Sequence, residues 1–71
     1  MLTVPTRGEK LREARRKAML SQEELAEQAG VGVATIIRIE RNQVRREPHF
    51  STLRKLARAL DVEAAQLLED D

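Results

Sequence analysis

Ser21-Gln22-Glu23-Glu24-Leu25-Ala26-Glu27-Gln28-Ala29-Gly30-Val31-Gly32-Val33-Ala34-Thr35-Ile36-Ile37-Arg38-Ile39-Glu40-Arg41 is the stretch whose reading decides the fold. Ser21 and Glu24 stand at the spacing of a capping box, in which each side chain satisfies a free backbone N–H of the first helical turn. Leu25, Ala26 and Ala29 then make the buried stripe of a short helix. Gly30 stops it, because glycine enters the left-handed region at no steric cost. Apolar spacing resumes at Ile36 and Ile39, which predicts a second helix over about 33–41.

So short a link forces the two helices to cross at a steep angle. The crossing needs a small residue where the helices approach, and Ala26 supplies it. It also needs an apolar wedge, which Leu25, Val31, Ile36 and Ile39 form. Gly32, Val33, Ala34, Ile37, Arg38 and Arg41 are left facing outward, with Thr35 inside or at the edge.

Upstream, Thr6 and Glu9 repeat the capping-box spacing after Pro5. Leu11, Ala14 and Ala18 share one face of a helix expected from Arg7 to Ala18. Downstream, Asn42 suits a left-handed helix end, and a polar loop carries Arg45, Arg46 and Pro48. A fourth helix is expected near Ser51, with Phe50, Leu53, Leu56, Ala57 and Leu60 on one face and Asp61 as its stop. A short fifth helix over about 63–68 contributes Val62, Ala65 and Leu68 to the core. The expectation is an all-α, five-helix single domain spanning 1–71, with an arm at 1–6, a helical core at 7–68 and an acidic tail at 69–71.

With 71 residues the chain is bounded to one domain and a small core. It has no cysteine, one phenylalanine and neither tryptophan nor tyrosine, so aliphatic packing rather than disulfides or zinc must hold it. No apolar run approaches the ~20 residues that span a bilayer, and the first residues lack the apolar stretch of a signal peptide. A cytoplasmic location is expected. Net charge is only +1, but ten Lys/Arg against six Asp/Glu lie in 1–46, and three against six in 47–71. That asymmetry suits a domain with one phosphate-facing side. Glu23 and Glu24 fit charge at a helix N-terminus better than paired catalytic carboxylates, and the lone His49 reads as a capping or surface residue. No catalytic constellation, metal cluster or cofactor motif is present.

Leu11 to Arg16, Ser21 to Ala26, Gly30-Val31, Ile36 to Glu40, Pro48, Leu53, Leu56-Ala57 and the run from Leu60 to Leu68 together carry a resemblance. Over these residues the chain resembles the phage-repressor and Cro-like helix-turn-helix DNA-binding family, the lambda-repressor-like domain. The resemblance implies a regulator of transcription bound to double-stranded DNA, a repressor acting as a homodimer on a palindromic operator. Its half-sites would lie one helical turn apart, roughly 34 Å. Gly32, Val33, Ala34, Ile37, Arg38 and Arg41 would face bases, with Arg38 able to bond bidentately to a guanine edge. Ser21, Gln22, Arg45 and Arg46 would meet phosphates, and Arg15 with Glu40 would form a partly buried ion pair joining the first helix to the third.

Three departures from the family pattern stand out. Val33, Ala34 and Ile37 are apolar where polar residues often meet bases, Gly32 replaces the usual Ser or Thr cap, and Asn42 stands where glycine is commoner. Apolar side chains there can contact thymine methyls or a partner protein, so a protein-interaction module is an alternative. An excised DNA-binding domain of a larger regulator or antitoxin is another. Val62, Leu67 and Leu68 are candidates for the dimer contact or for plain packing of the last helix.

Overall fold

Side-chain caps fix where the first two helices begin. In the computed structural model, which describes residues 6–43 and 48–67, Thr6 Oγ1 accepts the Glu9 N–H at 3.2 Å and opens α1, Arg7–Lys17. Ser21 and Glu24 make both halves of their capping box and open α2, Gln22–Ala29. The next two helices, α3 (Val33–Glu40) and α4 (Phe50–Leu60), start without a side-chain cap bond. A single 3-10 turn, Ala64–Leu67, follows.

The helix ends share one device. After each helix a single residue takes a left-handed conformation: Met19 (φ 59°), Gly30 (72°), Asn42 (56°) and Asp61 (56°). The next N–H then reaches back to a carbonyl of the last turn. Leu20 donates to Arg15 at 3.1 Å, Val31 to Ala26 at 3.1 Å, Gln43 to Arg38 at 2.9 Å and Val62 to Ala57 at 3.0 Å. These are Schellman closures, which satisfy carbonyls that a helix end leaves unpaired. Leu20, Val31 and Val62 also pack against the core, so three of the turns bury an apolar residue.

Packing follows the apolar stripes. α3 lies against both α1 and α2, α4 packs beneath α2, and the 3-10 turn ties α4 back to α1. Leu11 of α1, Leu25 and Ala26 of α2, Ile36 and Ile39 of α3, Leu53, Leu56, Ala57 and Leu60 of α4, and Leu67 form one buried cluster.

Several expectations are corrected. There are four α-helices and not five among the described residues. The expected fifth is one 3-10 turn, whose three-residue period stacks Ala64 and Leu67 on one face and leaves Ala65 exposed. Leu67 is thus spent in the core of its own chain. Phe50 is 72% exposed, because it begins α4 one turn before Leu53 and no described residue covers that turn. Ala18 lies past the end of α1 and is exposed. Residues 1–5 of the arm, Arg45, Arg46, Leu68 and the acidic tail lie outside the described residues.

Candidate nucleic-acid interface

Two short helices and a left-handed glycine build the site. Gly30 turns the chain, and the space where a β-carbon would sit is empty within 4 Å, so the demand on this position is conformational rather than steric. Gly32 precedes α3, and its carbonyl accepts the Thr35 N–H at 3.0 Å. The wedge closes as expected: Leu25, Ile36 and Ile39 are buried, Ala26 is buried at the crossing, and Val31 packs at the edge.

Of the face expected to meet bases, Gly32, Ala34, Arg38 and Arg41 are exposed. Ile37 is half-buried, and Val33 is half-buried against the core. Among the three apolar residues only Ala34 stands fully outward.

At the start of α2, Ser21 is engaged in its capping box, accepting the Glu24 N–H at 3.0 Å while its own N–H donates to Glu24 Oε1 at 2.9 Å. The Ser21 backbone and hydroxyl hold the Glu24 carboxyl below its ordinary pKa. Gln22 turns its amide nitrogen inward, donating to Glu40 Oε1 at 3.1 Å. One amide proton is used there; the amide group has another to give.

Glu40 is the junction of the three helices. Its side chain is 1% exposed and receives Arg15 bidentately, Nε to Oε2 at 2.7 Å and Nη2 to Oε1 at 3.0 Å. Arg15 also donates from Nη1 to the Leu20 carbonyl at 3.0 Å, so it seals the end of α1 as well. Arg12 approaches Glu40 Oε1 at 3.6 Å. Burial by itself would raise the Glu40 pKa. The hydrogen bonds from Arg15 and Gln22 and the charges of Arg15 and Arg12 together outweigh it and hold the carboxyl below its ordinary value.

Sequence reasoning missed two partners of this junction. Arg12 donates from Nη2 to the Glu40 backbone carbonyl at 3.1 Å. Gly8 presses on the end of α3: a β-carbon there would come within 2.6 Å of the Ile39 and Glu40 carbonyl oxygens. Glycine inside α1 is the signal that pointed to it, since glycine in a helix costs about 1 kcal/mol against alanine and so calls for a packing reason. Arg12 has a fainter mark, its place one turn before Arg15. Among the described residues no cluster of His, Cys, Asp or Glu is placed to hold a metal, and no helix is long and apolar enough to cross a membrane.

The family model for helix-turn-helix proteins matches residues 11–67. No curated protein matches the chain. The solved structures similar to most of the chain include these three. The restriction-modification controller protein C.AhdI from Aeromonas hydrophila is 39% identical, with 87% of this chain and 91% of that one covered and a TM-score of 0.78. The N-terminal DNA-binding domain of SinR from Bacillus subtilis is 34% identical over 92% of this chain and 93% of that one, with a TM-score of 0.83. The P22 c2 repressor, solved with a synthetic operator, is 31% identical over 94% and 98%, with a TM-score of 0.82. The wedge, the left-handed Gly30 and the Arg15–Glu40 junction are therefore those of a member of the helix-turn-helix family, with the lambda-repressor-like fold.

Proposed function

We propose that the chain is a DNA-binding transcription regulator that lays α3 in the major groove of duplex DNA. The observation that carries this reading is the exposed row of Gly32, Ala34, Arg38 and Arg41 on a helix crossed over α2 and locked from behind by Glu40. Arg38 and Arg41 offer the forked donors that read guanine edges. Ser21 and Gln22 sit at the positive end of α2, where backbone N–H groups favour a phosphate. Arg45 and Arg46, in the segment after α3, add backbone contacts. The similarity to SinR and the P22 c2 repressor supports the same reading.

We further infer a repressor working as a homodimer on a palindromic operator, because one helix in one groove buries little surface and two-fold pairing doubles it. Leu67 is buried and Val62 packs against the core of its own chain, so of the three expected contact residues Leu68, which lies outside the described residues, is the one not placed in the core. The rival reading, a protein-docking face of Val33, Ala34 and Ile37, finds less support, since Val33 packs inward and Ile37 is half-covered.

Selection from a random duplex library at two salt concentrations tests the proposal. The expected result is an inverted repeat bound with an affinity that falls steeply with salt. Recovery of no sequence, with binding indifferent to salt, would sink it.

A further inference from the structure

An α-helix leaves its last four carbonyls without helical partners. In α3 the chain itself takes three: Arg41 N–H donates to Ile37, Gln43 N–H to Arg38 and Asn42 N–H to Ile39. The fourth, on Glu40, takes the Nη2 of Arg12 from α1 at 3.1 Å. Arg12 Nε also lies 3.6 Å from the Glu40 carboxylate, so one guanidinium spans backbone and side chain of the same residue. A cation at a helix C-terminus is favourably placed. By contrast, the N-terminal end of α3 begins at Gly32 with no side-chain cap bond. The helix is short, and its firm anchor is the C-terminal one.

We propose that Arg12 is a positioning residue for recognition: it sets the angle at which α3 is offered to the bases without itself touching DNA. This inference rests on the DNA-binding reading above. Base reading depends on donors held to a fraction of an ångström, and a loosened supporting contact degrades it before it degrades the fold. Arg12 is well suited to that role. Its side chain is 41% exposed, so its removal exposes no core, yet its donors end on the last turn of the recognition helix.

The test uses Arg12→Met, which keeps the stem and removes the donors. Its affinity is measured for the duplex that the unmutated chain selects and for a random duplex of equal length, at two salt concentrations, beside thermal melting. The selected duplex should lose about tenfold, the scale of one lost base contact, while random-duplex affinity and the salt slope stay as they were. Arg12→Lys, whose ammonium can still donate to the Glu40 carbonyl, should recover part of the ratio. Equal losses on both duplexes with a shallower salt slope would make Arg12 a phosphate ligand and overturn the inference. An unchanged ratio, whatever the melting temperature does, would overturn it too by leaving Arg12 a structural role alone. If the unmutated chain prefers no duplex, the DNA-binding reading itself fails and this one falls with it.

Discussion

The backbone N–H of Gly8 donates to the side-chain oxygen of Asn42 at 3.2 Å, joining residues 34 positions apart and tying the start of α1 to the end of α3. Asn42 thereby does two things at once. Its left-handed backbone ends α3, and its side chain takes an N–H that the first turn of α1 cannot pair within the helix. Glycine would supply only the first, which is the physical reason for asparagine here.

Gly8→Ala should destabilise the chain even though alanine is the better helix former. The added methyl meets two backbone carbonyl oxygens at 2.6 Å, and backbone cannot swing aside as a side-chain tip can. Overpacking of this kind costs about 1–3 kcal/mol net. A lower urea midpoint with an unchanged slope checks it; a higher midpoint would mean that α1 slides freely along α3.

Met19→Gly should act in the opposite direction. Met19 holds a left-handed backbone (φ 59°) with a side chain 88% exposed, so it bears the steric penalty and gains almost no packing. Relief of that penalty is worth roughly 1 kcal/mol. The melting temperature should rise and DNA affinity stay constant, since the residue lies on the turn between α1 and α2.

Removing Arg15 should be severe. Arg15→Met leaves the buried Glu40 carboxylate with Arg12 and Gln22 alone, and breaking one side of a buried pair costs about 3–5 kcal/mol. A single core in a chain this small rarely supplies more than about 3–5 kcal/mol. The variant should be largely unfolded at room temperature by circular dichroism.

Acid should act through the same residue. The Glu40 carboxyl is held below its ordinary pKa in the folded chain, so the folded state binds its proton less readily than the unfolded chain does. Its contribution is complete above the unfolded value of about 4.3 and is lost as pH falls from there through the lower folded value. Glu40→Gln, less stable at neutral pH, should show a smaller loss across that window. Equal slopes for the two proteins would place the acid sensitivity elsewhere.

On DNA, two kinds of arginine should separate. Arg38→Ala should cost about 1–3 kcal/mol on the selected duplex and little on random sequence, with the salt slope nearly kept. Arg45→Ala or Arg46→Ala should weaken both duplexes alike and lower the salt slope by about one each. The reverse pattern would exchange the assigned roles.

The amino-acid sequence by itself determined the crossed helix pair, the capping box at Ser21 and Glu24, the turn at Gly30 and the buried wedge. Caps, left-handed turns and apolar spacing are written in residues within a turn or two of one another, where local sterics and hydrogen bonds act without the rest of the chain. The row Gly32, Ala34, Arg38 and Arg41 was legible for the same reason, as what remains once the wedge is taken away. Its half-covered members, Val33 and Ile37, were not, because how far a side chain is covered depends on the elements laid over it. The tertiary structure alone decided that Gln22 turns to Glu40, that Arg12 takes the last carbonyl of α3 and that Gly8 must be bare. It decided too that Leu67 goes inward while Phe50 stays out. Each of these rests on groups brought together from distant parts of the chain, and no local propensity encodes a distance that only packing creates.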